Sequence, residues 1–249
     1  IDAIVARPRP WLLGVDVDGT ISPIVTRPDE AVLVPGAREA LDVLAQRDDV
    51  TVAVVSGRPL SDLRGLFGLP DSVSLVGSHG AEDGAAADLS ADEQNAIDAV
   101  LASMERVVEH LAKSWIEFKP VAVALHVRES DPLLGAQALA DLGAMFDASL
   151  AHTVHRGHMV LEVAVREASK VIAFERLRKR IAPATSVFIG DDQSDDRVFA
   201  SLGAQDVSVK VGPGPTAASY RLVSPLDVVD VLRALSSLES EPGRDVATS

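Results

Sequence analysis

Cysteine is absent from the 249 residues, which excludes disulfide staples and thiolate chemistry. Positive charge is scarce: 23 Lys and Arg stand against 37 Asp and Glu. The resulting net charge of -14 would repel nucleic acid and anionic lipid over most of the surface, so neither a nucleic-acid nor a membrane partner is expected. Any phosphate bound by such a chain must be held by a local site. No apolar run approaches the roughly 18 residues needed to span a bilayer, and the opening IDAIVARPRP lacks the core of a signal peptide. A cytoplasmic setting is the expectation. The first residue is Ile1 rather than Met, as in a domain of a longer polypeptide or a chain processed at its N-terminus. What is present in quantity is apolar residue, 47%, enough for a buried core and too much for a disordered chain. The length suits one large or two modest domains.

Val-rich runs alternate with helical periodicity at both ends of the chain. Trp11 to Val17 reads as a strand, Pro35 to Arg47 as a helix, Val50 to Val55 as a strand, Leu60 to Phe67 as a short helix and Val73 to Val76 as a third strand. Unbroken apolar strands separated by helices indicate a parallel sheet covered on both faces. The texture changes after Ala85. Ser90-Ala91-Asp92-Glu93 is a capping box opening a helix to about Lys113, and Ile116 to Arg128 alternates in parts. Asp131 to Ala148 reads as a helix, and His152 to Val165 as two strands joined at Arg156-Gly157. That order suits a small α+β lid with an antiparallel sheet. From Ser169 the α/β rhythm resumes: a helix to Ile181, a strand from Ser186 to Ile189, an Asp-rich loop, a helix through Leu202 and a strand from Asp206 to Val211. Glu239 to Ser249 reads as a polar tail. The fold class expected is α/β, a doubly wound, Rossmann-like parallel-sheet core (residues 1–85 and 167–249) with an inserted α+β lid (residues 86–166).

Asp16-Val17-Asp18-Gly19-Thr20 stands at the carboxyl end of the first strand, where open α/β sheets bind their ligands. Two carboxylates two residues apart can serve one centre in different roles. Asp16 would attack phosphorus to give an aspartyl-phosphate, and Asp18 would protonate the leaving oxygen and later deprotonate water. Because an anion then approaches an anion, a cation is required, and Mg²⁺ on oxygen ligands is the expected one. Gly190-Asp191-Asp192-Gln193-Ser194-Asp195-Asp196 follows another strand and supplies candidate ligands: Asp191 foremost, then Asp192 and Asp195 with Asp16 and Asp18. Helix capping is the alternative use of this cluster and is expected of Asp195 or Asp196. Ser56, with Gly57 and Arg58, follows the second strand and can bind phosphoryl oxygens, while Lys170 opens the helix after the lid and can neutralise the attacked phosphate. Asp18 lies 38 residues before Ser56, whereas 114 residues separate Ser56 from Lys170, so the lid is inserted in the second gap.

In this order the four motifs resemble those of the haloacid dehalogenase superfamily of phosphohydrolases, and within it the trehalose-6-phosphate phosphatases. The narrower resemblance rests on Gly77-Ser78-His79-Gly80-Ala81-Glu82, on Glu117-Phe118-Lys119, on Val123-Ala124-Leu125-His126-Val127-Arg128, and on Glu162. It implies a Mg²⁺-dependent release of phosphate from trehalose 6-phosphate. It also implies that Glu117, Lys119, His126, Arg128 and Glu162 grip the phosphorylated sugar from the lid while His79 and Glu82 border the site. This chain departs from the family pattern at Ser169 and Val171, which flank Lys170, and at Val163-Ala164-Val165, where the family's Arg and Pro are missing.

Three other readings are open. The same chemistry could serve another hexose phosphate or a glycosyl-phosphoglycerate. A phosphoacceptor signalling module also uses a doubly wound sheet, an acidic cluster and a Lys, but has no need of a second aspartate beside the nucleophile or of a lid. A catalytically silent regulatory domain of a longer trehalose-pathway protein is the third, and intact Asp16, Asp18, Lys170 and Asp191 argue against it.

Overall fold

The computed structural model describes residues 1–25, 27–83, 89–147, 153–157, 159–166 and 168–239. The chain divides into two compact units, one of Ile1–Gly84 with Ser169–Ser249 and the other of Ala85–Ala168. In chain order, the first unit begins with α1 (Asp2–Val5), β1 (Trp11–Val15), α2 (Ala37–Ala45), β2 (Val50–Val55), α3 (Leu60–Gly65), β3 (Ser74–Gly77) and β4 (Glu82–Asp83). The second unit contributes α4 (Ala91–Val108), β5 (Trp115–Lys119), β6 (Ala122–His126), α5 (Pro132–Asp147), β7 (Thr153–Gly157) and β8 (Val160–Ala164). The first unit then resumes with α6 (Lys170–Ile181), β9 (Thr185–Gly190), α7 (Gln193–Ser201), β10 (Val207–Val211), β11 (Tyr220–Leu222) and α8 (Pro225–Ser236).

The first unit is built on a seven-stranded sheet of order β11-β10-β9-β1-β2-β3-β4, parallel except for β4. Its central strands are buried on both faces, as the continuous Val and Leu runs require. Trp11, Leu13 and Val15 share one core with α2 and α8, while Leu12 shares a second with Phe174, Phe188 and Val198 of α6, β9 and α7. This two-sided cover is the doubly wound α/β class expected. Gly14 makes it possible, since a Cβ there would stand 2.5 Å from the Phe174 ring.

Several boundaries differ from the expectation. The first strand ends at Val15 rather than Val17, because the Val17 carbonyl accepts from Thr20, Ile21 and Ser22 in a tight turn. The sheet also continues past Val211 with β11, and the chain goes on into α8, opened by the Ser224–Asp227 capping box. Ala148, His152 and residues 240–249 of the expected tail lie outside the described residues.

The second unit is a four-stranded antiparallel sheet of order β5-β6-β8-β7. One face carries Val123, Leu125, Leu161 and Val163 into a core with Val100 and Met104 of α4 and Leu142 and Phe146 of α5. The Ser90–Glu93 capping box is in place, but α4 stops at Val108 instead of near Lys113, where the backbone has turned to φ 63°. The strand connection also shifts: Gly157 pairs with Val160, so the turn follows Gly157 and uses Met159 at φ 60°. No helix among the described residues is long and apolar enough to cross a membrane.

Candidate active site

Asp16 leaves the end of β1, the central strand, flanked by β2 on one side and β9 on the other. Its N–H donates to the Ile189 carbonyl at 2.9 Å, which pins the residue at the switch point of the sheet. The following turn depends on Gly19 at φ 78°, where a Cβ would stand 2.0 Å from Asp191 Oδ2. Glycine there lets the loop after β9 close onto the loop after β1. The carboxylates of Asp16, Asp191 and Asp195 consequently lie within 4.8 Å of one another.

Two buried lysines serve this group. Lys170 Nζ lies 2.8 Å from Asp16 Oδ1, 2.8 Å from Asp195 Oδ1 and 4.0 Å from Asp192. Lys210 Nζ, from β10, donates to the Asp191 carbonyl. Burial pushes Asp16 up from the ordinary carboxylate range, against the pull of Lys170, and burial together with the Asp16 charge pushes Asp195 up. Asp191 is raised to about 6 by burial and by Asp195 and Asp192. Lys170 is raised, because Asp16, Asp195 and Asp192 outweigh its burial. Asp192 goes the other way, to about 2, since Lys170, Ser194 and the α7 amide ends outweigh its burial. It is the α7 N-cap, accepting from Asp195 N at 2.9 Å, so the cap expected of Asp195 or Asp196 falls to Asp192, with Asp195 closing the box. With every group ionised, four carboxylates face two ammonium groups. A hard oxygen set with two surplus negative charges fits one divalent cation.

The structure brings Asp16, Asp191 and Asp195 together and leaves the carboxylates of Asp18 and Asp192 outside that trio. Asp18 is gripped by the Arg58 guanidinium through two bonds, 2.6 and 2.8 Å. Arg58 itself is held by the Pro28 carbonyl and stacks over Phe67. Ser56 is buried at the end of β2, and its Oγ accepts from Arg58 N. Gly57 admits the His79 ring, which a Cβ would meet at 2.6 Å. His79 sits in a strained turn in which Ser78 (φ 49°) and His79 (φ 54°) both take the left-handed region, each costing roughly 1–2 kcal/mol. Buried Glu82 holds that turn: its Oε2 accepts from Ser78 Oγ at 2.7 Å and from Leu60 N at 3.1 Å.

In the second unit, the register places Trp115, Glu117 and Lys119 of β5, Ala122, Ala124 and His126 of β6, His155 of β7 and Glu162 of β8 on the sheet face away from the helices. Lys119 pairs with Glu162 across the small Ala122 and Ala124. Glu117 Oε2 meets His126 Nε2 at 2.8 Å, and this bond draws Glu117 below its usual range against its burial. Arg128 is exposed beyond the end of β6.

Lys210, Trp115 and His155 were not expected in these places. A Lys inside VSVKV, an apolar strand of a doubly covered sheet, was the available sign for Lys210, and the period of two that links Trp115 to Glu117 and Lys119 was the sign for Trp115.

Residues 14–225 match the model of the trehalose-phosphatase family. This chain belongs to the trehalose-phosphatase family. Among its relatives, a trehalose-6-phosphate phosphatase of Escherichia coli K12 is 30% identical over 235 residues, covering 89% of this chain and 85% of that one. A bifunctional trehalose-6-phosphate synthase/phosphatase of Thermoproteus tenax is 31% identical over 225 residues, covering 87% of this chain. The chain spans only 30% of that longer relative. The C-terminal domain of the C. albicans trehalose-6-phosphate phosphatase superposes with a TM-score of 0.73 at 25% identity, over 96% of this chain and 95% of the other. The motif residues described above, from Asp16 to Asp195, all lie within the matched trehalose-phosphatase span.

Proposed function

We propose that the chain hydrolyses trehalose 6-phosphate to trehalose and inorganic phosphate through an aspartyl-phosphate at Asp16. The observation that carries the chemistry is a buried carboxylate at a strand end, 2.8 Å from a buried lysine and grouped with two further carboxylates. Membership of the trehalose-phosphatase family supports the substrate. Asp16, Asp191 and Asp195 would hold Mg²⁺, which when bound would offset the repulsion between nucleophile and phosphate.

Asp16 attacks phosphorus, forming a new P–O bond as the bond to the sugar oxygen breaks. Asp18, which must leave the Arg58 fork and take up a proton from solvent before the substrate is cleaved, gives that oxygen its proton. Asp18 then takes a proton from the water that attacks the aspartyl-phosphate, and Asp16 is regenerated as phosphate leaves. Lys170 opposes the charge gathered on the phosphoryl oxygens, and the Ser56 hydroxyl, oriented by the bond it accepts from the Arg58 N–H, offers a donor to them with the Gly57 backbone. Buried Glu82 keeps His79 in place over Gly57 at the border of the site. Lys119, His126, Arg128, Glu117 and Glu162 read the sugar.

A panel of sugar phosphates, each assayed for phosphate release with Mg²⁺ and with a chelator, tests this reading. Fastest release from trehalose 6-phosphate, abolished by chelation, is expected. Faster release from another hexose phosphate or a glycosyl-phosphoglycerate would move the substrate and keep the chemistry. Release that survives chelation would remove the metal.

A further inference from the structure

We propose that Trp115 is a binding residue for the sugar, its open indole surface taking the apolar face of a pyranose ring. The proposal rests on the reading of this sheet face as the one that meets trehalose 6-phosphate. The chain has two tryptophans, and they are used in opposite ways: Trp11 is 2% exposed in the core, whereas Trp115 is 50% exposed. Trp115 is not merely loose at an edge. Its ring lies parallel to that of His126, with centroids 3.9 Å apart and an interplanar angle of 2°. The imidazole is fixed a second time by Glu117, through the 2.8 Å bond at Nε2. Stack and hydrogen bond together make a rigid shelf on β5 and β6.

The surroundings fit a polyhydroxylated ring. A pyranose carries C–H groups on its faces and hydroxyls around its rim, so its recognition requires a flat apolar surface bordered by charged acceptors and donors. Trp115 supplies the first, and Glu117, Lys119, His126 and Glu162 supply the second from the same face. Ala122 and Ala124 keep the floor between them low. A single aromatic among charged groups is also a poor protein-docking surface, which would present a continuous apolar patch. An indole held by stacking loses little conformational freedom on binding, which favours its use here.

The test combines kinetics with the fluorescence of Trp115 itself. Trp115→Ala is expected to lower kcat/KM for trehalose 6-phosphate roughly tenfold more than for a small aryl phosphate, mostly through KM, while Trp115→Phe recovers most of the difference. In an Asp16→Asn chain, which binds without turnover, titration with trehalose 6-phosphate is expected to shift to shorter wavelength the emission that disappears on Trp115→Phe. Equal losses on both substrates, or an unmoved Trp115 emission while calorimetry records binding, would overturn the proposal. If His126→Ala and Glu162→Ala impair the sugar substrate selectively and Trp115→Ala does not, the sheet face reads the sugar without the indole and only this inference fails. If none of the three variants separates the two substrates, the reading of the face fails with it.

Discussion

At position 19 one methyl group decides whether the metal-ligand candidates can assemble. An alanine Cβ would stand 2.0 Å from Asp191 Oδ2 and would also force a non-glycine residue to φ 78°. Gly19→Ala is therefore expected to weaken Mg²⁺ binding by about tenfold or more and to lower stability by about 1–2 kcal/mol, read by calorimetric titration and thermal melting. Wild-type values in both would show that the two loops do not depend on this close approach. Lys210 acts on the same loop from the other side, since its buried ammonium donates to the Asp191 carbonyl. Lys210→Met removes one of the two ammonium groups that oppose a cation there and raises the surplus negative charge from two to three, so Mg²⁺ affinity should rise about tenfold while the metal-free chain loses stability with the unpaired carbonyl, and Lys210→Arg should restore both. An unchanged affinity would confine Lys210 to a role in folding.

At the scale of elements, the turn between β9 and α7 concentrates charge that burial keeps partly protonated. Burial, with the charges of Asp195 and Asp192, pushes Asp191 up to about 6, and burial raises Asp16 and Asp195 as well. A carboxyl group whose folded value lies above its unfolded value binds more protons when folded. Its contribution to stability is full below the unfolded value and is lost as the pH rises through the folded one. A cation requires the ionised groups and competes with those protons. The rise in melting temperature on adding Mg²⁺ should accordingly grow as the pH climbs from about 4 to about 7, and a pH-independent rise would contradict this electrostatic account. The strand ends that carry Asp16, Ser56 and Asp191 were legible because a doubly covered strand writes an unbroken apolar run, and the polar residue that ends it stands out. Helix α8 had an equally clear signal in Ser224, Asp227, Val228, Leu232 and Leu235, but it follows β11, whose three residues are too few and too exposed to announce a strand. The partners of Lys210 and Trp115 were hidden for a different reason. The local pattern, a Lys inside VSVKV and a period of two from Trp115 to Lys119, marks the positions, but their partners come from a neighbouring loop and from cross-strand register, which the local sequence does not carry.

For the whole molecule, the first unit is interrupted where its own parts meet. A Cβ on Gly80 would stand 3.0 Å from the Ser169 carbonyl, so the turn before β4 adjoins the start of α6. Asp83, at the end of β4, is paired with Arg180 of α6 at 3.2 Å. The chain thus departs from and returns to one edge of this unit. Replacing residues 85–168 with about six Gly and Ser residues, a span of roughly 14 Å, should leave a cooperatively folding protein that still hydrolyses a small aryl phosphate slowly and has lost its preference for trehalose 6-phosphate. Circular dichroism melting and phosphate release on the two substrates check this. A retained preference would place substrate reading in the first unit.

The central claim is a covalent phosphoryl on Asp16. It is tested most directly by acid-quenching the chain during turnover of trehalose 6-phosphate with Mg²⁺ and locating the added mass among its peptides. One phosphoryl group on the peptide containing Asp16, absent when Mg²⁺ is chelated and absent in Asp16→Asn, is the predicted result. Turnover that leaves every quenched peptide unmodified, or that continues at more than about a tenth of the wild-type rate in Asp16→Asn, would contradict it.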